Sequence, residues 1–562
     1  MFYEKETVGG VDLPHLFCYN GFRSGNATRK ETSMQKKKWF LYLTEFFSGM
    51  SVMAIELGAS RLLAPYFSSS QIVWTIIIGA IMIAMALGTI WGGRLADKNP
   101  SPDKMYFRIL IVAVWIAAIP FLGKYVIAAV SVVLAMLVGQ NFLIWASLVS
   151  CMLLFVFPLM LLGSVSPALV KYAVHSLDEN GKIVGELNAL NTIGSIIGTF
   201  APTFITIPLV GTSWTFIIFS AILLVIALVY FISNKVKLAK TLVMVVLVVA
   251  FSFLGSVSSF AFWRTDANLY EDESIYNYLQ VTEDDQNVIL STNVLFGIQS
   301  ITKKDGGLTG MYYDYALAAP YMAGVTEKEQ LDILILGMGS GTFASQCYRY
   351  FENTTMTGVE IDKKIIDLAY DRFGLPEDSR ISCVEFDGRA YLRGAKQYDV
   401  IMVDAYRDVT VPFQMSTVEF FSEVKDHLTE DGVMVVNLNM YSSDEKSIDK
   451  YLCDTIACVF DTVYTAENGS NRIVFASKSD GILDRFLDTY PKSYSHPLRY
   501  NLSVVASQLV AYGGGNLILT DDKAPVELLG MQVIDEMITE ELNYYKGLFK
   551  GLSLDEILEL LQ

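Results

Sequence analysis

Charge is scarce in this 562-residue chain: 18% of its residues are charged, where a soluble globular protein carries about a quarter. A wholly soluble protein is excluded on that ground. Histidine is scarcer, with four residues at 15, 175, 427 and 496, none close to another or to a cysteine pair. The ligand set of a zinc site is therefore missing, and no metal is expected. The six cysteines, at 18, 151, 347, 383, 453 and 458, form no CxxC pair and no dense framework. They read as reduced thiols in a reducing compartment. No cleavable signal peptide is visible either, and none is expected, because the first long apolar run begins only after Lys36-Lys37-Lys38.

What the chain does have is apolar and aromatic: 52% hydrophobic residues, with 33 Phe, 30 Tyr and 7 Trp. That many buriable rings excludes disorder. The charges are unevenly divided. Residues 1–264 hold 19 basic and 11 acidic residues, and residues 265–562 hold 23 basic and 48 acidic. A greasy, mildly basic half is joined to an acidic, soluble one. The acidic half would repel a phosphate backbone, so nucleic acid is not an expected partner.

Apolar runs near 39–63, 72–92, 107–122, 142–166, 187–210, 212–232 and 241–260 approach the roughly 20 residues needed to cross a bilayer. The shorter run 125–139 brings the expected total to seven or eight. Basic clusters mark the cytoplasmic side. Eight spans keep the C-terminal half inside but put Lys235, Lys237 and Lys240 outside. Seven spans satisfy every cluster but put that half outside. Glu45 and Glu56 stand 11 residues apart, about three turns and hence one helix face, with Arg61 nearby. They mark either a pathway or a Glu–Arg pair between helices. Asn191-Thr-Ile-Gly194-Ser-Ile-Ile-Gly198 offers a small face for close helix packing.

After Arg264 short alternating segments predict a small β-hairpin subdomain. From 331 onward apolar strands at 331–336, 355–361, 381–386, 398–404, 432–438 and 472–477 alternate with helical stretches, the pattern of a doubly wound sheet. The first strand runs into Gly337-Met-Gly339-Ser340-Gly341, where glycines let the backbone approach a ligand. Glu360 ends the second strand and suits both hydroxyls of a ribose. Asp387-Gly388 follows the third and can accept from an adenine amine. Asp404 ends the fourth. Ligands bind at those strand ends in open α/β sheets. Each acid alone also reads as a solvated end, a turn former or a helix cap.

Residues 270–480 resemble the spermidine synthase family of aminopropyltransferases, within the class I methyltransferase-like fold. The matching stretches are Glu273-Ser274-Ile-Tyr276-Asn277, Gln299-Ser300, Tyr312-Tyr313-Asp314-Tyr315, the glycine loop, Val359-Glu360-Ile-Asp362, Asp387-Gly388-Arg389 and Tyr398-Asp-Val-Ile-Met-Val-Asp404. Residues 39–260 are similar to the transporter-like membrane half of bacterial fused proteins carrying such a domain. The Gly-Gly-Arg94-Leu-Ala-Asp97-Lys98 segment resembles a loop of major-facilitator transporters, and Leu519-Thr-Asp521-Asp522-Lys-Ala-Pro525-Val-Glu527 resembles a C-terminal stretch of the fused group.

The resemblance implies aminopropyl transfer from decarboxylated S-adenosylmethionine to an amine such as putrescine, with Asp404 as the base. It implies donor contacts from Gly337, Gly339, Ser340, Gly341, Glu360, Asp362, Asp387 and Gly388. Amine contacts would come from Tyr276, Gln299, Tyr312, Tyr313, Asp314, Tyr406, Arg407, Asp408, Asp522 and Glu527. A homo-oligomer and a plasma-membrane, multi-pass protein with its catalytic domain in the cytoplasm are implied too. Two departures stand out. The family's GGGDG loop has Ser340 in place of its aspartate, and Arg407 replaces a second substrate-binding acid. They leave open S-adenosylmethionine itself as donor, for methyl or aminocarboxypropyl transfer. They also leave open a polyamine transporter or sensor with a non-catalytic nucleotide domain. The expected units are a polar tail 1–38, a helical bundle 39–262, a β subdomain 265–325, a methyltransferase-like domain 326–480 and a helical extension 481–562.

Overall fold

A computed structural model of the chain describes residues 38–67, 70–138, 141–174, 180–261, 269–293, 298–405, 411–439, 442, 444 and 446–548. Its first half is helical: α1 Lys38–Phe67, α2 Gln71–Lys98, α3 Pro102–Leu137, α4 Phe142–Ala173, α5 Asn180–Ala201, α6 Ile207–Asn234 and α7 Leu238–Ser256. Six continuous helical stretches are long and apolar enough to cross a membrane. One of them, Asn180–Asn234, folds back at Gly211, whose φ of 82° no helix accepts. The Thr206 and Thr215 hydroxyls meet across that bend at 2.8 Å. The described bundle therefore passes seven times from one end to the other. The expected short span at 125–139 is the second part of α3, because Gly123-Lys124 between the two apolar runs does not stop a helix.

Small residues set the packing. A Cβ on Gly194 would stand 2.0 Å from the Phe46 carbonyl oxygen, and one on Gly198 would stand 2.0 Å from that of Met50. Only glycine lets α5 lie this close along α1. Gly88 and Gly92 do the same for α2 against the backbone of α4 at Met160 and Ser164. Of the two acids of α1, Glu45 is buried and accepts from the Asn191 amide of α5 at 2.8 Å.

The two ends of the bundle differ. At one end Tyr42 meets Glu186 at 2.5 Å, Lys171 meets Asp97 at 3.0 Å and Tyr230 meets Asp103 at 2.6 Å. In or beside the loops of this end lie Lys38, Arg94, Lys98, Lys104, Arg108, Lys171, Lys182, Lys235, Lys237 and Lys240. Among described basic residues of the bundle, only Arg61 and Lys124 lie towards the other end, which carries the soluble half. There Glu527 accepts from the Gln71 amide at 3.0 Å, Asp535 from Asn141 and Phe142 at 2.7 and 2.8 Å, and Glu273 from Thr212 at 2.7 Å. Each carboxylate caps the opening turn of a helix that starts at this end, where the helix dipole favours an anion.

The soluble half opens with a four-stranded antiparallel sheet: β1 Tyr270–Glu273, β2 Tyr278–Glu283, β3 Asn287–Ser291 and β4 Ser300–Lys303. Then follow β5 Leu331–Leu336, β6 Thr354–Glu360, β7 Ile381–Glu385, β8 Tyr398–Val403, β9 Leu428–Leu438, β10 Thr462–Asn468, β11 Asn471–Ser477 and β12 Val510–Ala511. They form one sheet in the order β12-β10-β11-β9-β8-β5-β6-β7. Strands β5 to β9 are parallel, and β10 to β12 run antiparallel to their neighbours. The near-continuous apolar runs of β5, β8 and β9 fit strands buried on both faces. Chain order reverses between β5 and β8, and a doubly wound sheet opens its ligand crevice at such a switch point.

Candidate active site

At that switch point lies a cavity of about 680 Å³. Its floor is the glycine turn after β5. Gly337 has φ 85°, and a Cβ there would come within 2.5 Å of the Ala405 Cα, so the loop after β8 can close on it only as glycine. Gly339, at φ 56°, donates its amide to Glu360 Oε2 at 3.0 Å. Glu360 Oε1 accepts the Asp362 amide at 3.1 Å. These two bonds fix a largely buried carboxylate against the turn, and its burial holds its pKa above the ordinary value. Asp387 and Gly388 complete this wall, with Asp387 capping a short helix through the Ala390 amide at 2.8 Å.

Asp404 stands across the cavity, half-buried at the end of β8. The Tyr312 hydroxyl donates to its Oδ2 at 2.5 Å and the Asn437 amide to its Oδ1 at 3.0 Å. Asn437 is itself oriented by Asn471, which donates to its Oδ1 at 2.7 Å and so turns the Asn437 NH₂ towards Asp404. Desolvation pushes the Asp404 pKa up to about 7, and the Glu360 charge adds to it, while the Tyr312 and Asn437 hydrogen bonds pull it down. A carboxyl poised there can take a proton near neutral pH and later lose it.

The other predicted residues divide into those on the cavity and those behind it. Tyr276, Gln299 and Glu527 line it. Tyr313 is buried beside Tyr312 with ring centroids 4.0 Å apart, and its hydroxyl reaches the Gln299 carbonyl. Ser340 faces away: its hydroxyl meets Thr342 and its amide the Ser300 hydroxyl, so it offers the cavity no polar group. Gly341 opens the helix Thr342–Tyr350 at φ 79° behind the loop. Asp362 binds Ser274 and Asn277 and caps the helix Lys363–Asp371, joining the two sheets instead of touching a ligand. Asp314 is buried among the Thr309 and Gly310 amides and the Gln346 and Asn501 side chains. These are structural partners that fully occupy a carboxylate. Asp522 sits exposed in a turn, where its neighbour Asp521 clamps Arg389 with bonds of 2.8 and 2.9 Å. Tyr406, Arg407 and Asp408 lie outside the described residues.

Sequence reasoning missed two groups. Asn437 was legible only as a lone amide in an apolar strand. The second group is the roof, supplied by the bundle: Ser60 and Arg61 of α1, Gln71 and Trp74 of α2, and Ile207. Arg61 donates to the Ile275 carbonyl of the soluble half.

The profile of the spermine/spermidine synthase domain matches residues 315–479. A probable polyamine aminopropyl transferase of Bifidobacterium longum is 46% identical over 355 residues, which are 60% of this chain and 78% of that protein. The chain belongs to the polyamine aminopropyltransferase family. A polyamine aminopropyltransferase of Oceanobacillus iheyensis is 28% identical over 203 residues, covering 34% of this chain and 38% of that one. The crystal structure of spermidine synthase from Thermotoga maritima aligns with a TM-score of 0.36 at 20% identity, over 43% of this chain and 84% of that one. As an aminopropyltransferase this chain carries the matched synthase domain in its soluble half, joined to a bundle with helices of membrane-crossing length and composition.

Proposed function

We propose that the cavity binds a decarboxylated S-adenosylmethionine with its adenosine over Gly337 and Gly339 and its ribose on Glu360, and presents the aminopropyl carbon to a primary amine held at Asp404. Two ends of one cavity support this reading: a carboxylate pinned to the glycine turn, and a second carboxylate with a pKa near 7 held by Tyr312 and Asn437. The second arrangement carries the assignment. The sulfonium leaves without help, so the chain has to supply an unprotonated amine in line with the carbon. The free amine titrates near 10.4, like lysine, and arrives as an ammonium. Asp404 takes one proton from it, the nitrogen lone pair forms the new carbon–nitrogen bond, and the carbon–sulfur pair stays on sulfur. The products are the aminopropylated amine, protonated, and methylthioadenosine. Tyr312 and Asn437 hold the carboxylate oxygens so that they do not turn away as charge moves.

The test is product identity. Purified protein with decarboxylated donor and putrescine should release methylthioadenosine, and Asp404→Asn should lower that rate about 10²–10⁴-fold while keeping donor binding. Release of S-adenosylhomocysteine from intact S-adenosylmethionine would instead support methyl transfer on this fold.

Orientation belongs to the same proposal. A cytoplasmic catalytic domain follows from where the donor is made. Crossing number and loop charge support the opposite side: seven crossings separate the basic end from the catalytic end, and cationic loops stay in the cytoplasm. Because the transfer needs that donor, the proposal keeps the catalytic domain in the cytoplasm: a C-terminal fluorescent protein that matures only there should be bright and fused alkaline phosphatase inactive, and the reverse pattern overturns this placement.

A further inference from the structure

The catalytic cavity does not end at the soluble half. From Asp404 it continues between α1 and α2, where Leu57, Ala64, Val73, Trp74 and Ile77 line it. Ile77 is six residues inside α2 and Leu57 ten residues before the end of α1. At 1.5 Å per residue the slot reaches about 9 to 15 Å into the bundle. A short diamine has no use for such depth, and beyond Ser60, Ser70, Gln71 and Glu527 the deep lining at Leu57, Val73, Trp74 and Ile77 is apolar. Arg61, anchored on the Ile275 carbonyl, sits one turn above Leu57 and marks where the polar part of the cavity gives way to the apolar part. On the flank, the exposed Thr203 lines the slot. Beside it Phe204 (68% exposed), Ile205 (55%) and Leu209 (76%) form an apolar lip on a helix of membrane-crossing composition. The slot therefore opens beside an exposed apolar surface on that helix.

Resting on the transfer reading above, the geometry points to an amphiphilic primary amine as acceptor, its amine at Asp404 and its aliphatic tail in the slot between α1 and α2, entered from the bilayer past Thr203. The transfer is unchanged: the tail-bearing amine gains the aminopropyl group, sulfur keeps the electron pair and Asp404 takes the proton. Such a tail-bearing amine comes either as a free alkylamine or as a lipid with an amine headgroup.

The test uses the full chain in lipid discs with decarboxylated S-adenosylmethionine and a series of putrescine and N-butyl-, N-hexyl- and N-octyl-putrescine, reading methylthioadenosine. Each methylene placed in an apolar slot should raise kcat/KM about fourfold until the slot is full. Ala64→Phe and Ile207→Trp, both checked for retained donor binding, should flatten that rise. A flat series in the wild type overturns the proposal, and so does a rise that both filling variants leave intact, since that is partition into the disc alone. No release with any amine fails the transfer reading instead. Discs of phosphatidylethanolamine separate the sources: an aminopropylated lipid seen by mass spectrometry assigns the bilayer as supplier, and turnover of alkylamines alone assigns the free amphiphile.

Discussion

Tyr312→Phe isolates the feature on which the proposed chemistry turns. The phenyl ring fills the same buried place beside Tyr313, so only the hydroxyl 2.5 Å from Asp404 Oδ2 is removed. A hydrogen bond to a charged group contributes about 1.5–3 kcal/mol. It stabilises the carboxylate and not the acid, so its loss raises the Asp404 pKa, by about one to two units at 1.36 kcal/mol each. In the wild type the base is unprotonated above about pH 7, and kcat/KM should climb through that value, because this ratio reports the free enzyme. In the variant the climb should be displaced to about pH 8–9. Activity at pH 7, where half of the wild-type base is already protonated, then falls about 5- to 50-fold and recovers in alkaline buffer. The assay is methylthioadenosine release at low amine concentration from pH 5.5 to 9.5. A uniform loss at every pH, or a limb that stays in place, refutes the assignment of Asp404 as the proton acceptor held by Tyr312.

Glu360→Gln should weaken methylthioadenosine binding about tenfold or more in calorimetry, since a charged acceptor is lost. It should also move the Asp404 limb to lower pH, because the Glu360 charge is one cause of its raised position. Asn437→Ala should shift the limb in the same direction as Tyr312→Phe and by less, since the bond it removes is 3.0 Å long. In the bundle, Gly194→Leu should lower thermal stability in lipid discs by about 1–3 kcal/mol, because its Cβ has the Phe46 carbonyl at 2.0 Å. Gly185→Leu, with nothing within 4 Å, is the control and should leave the melting point unchanged.

The catalytic half was legible because its signals are local. β5 and β8 are apolar runs, β6 and β7 are short β-branched-rich segments between helical stretches, and the residues that matter stand at or just past the end of each: Gly337, Glu360, Asp387 and Asp404. Parallel pairing brings the ends of such strands to one edge of the sheet, so sequence order was enough to gather them. Ser340, Asp362 and Asp314 show the limit of that logic. They sit in the right motifs, yet their side chains are bound to Thr342, to Ser274 and Asn277, and to Thr309, Gly310, Gln346 and Asn501. A motif fixes where the backbone goes, while the neighbours decide which way a short polar side chain turns.

By itself the sequence determined the division into an apolar and an acidic half, the parallel sheet with its glycine turn, and the acids at 360 and 404, because periodicity and strand-end position act over a few residues. The tertiary structure decided the number of helical passes in the bundle, through the bend at Gly211 and the continuity of α3. It also decided that Glu273, Glu527 and Asp535 cap bundle helices, and that α1 and α2 roof the cavity over Asp404. Those contacts join residues tens to hundreds of positions apart, and nothing in a local pattern encodes a partner that distant. Which groups share a cavity depends on how the bundle and the sheet pack against each other.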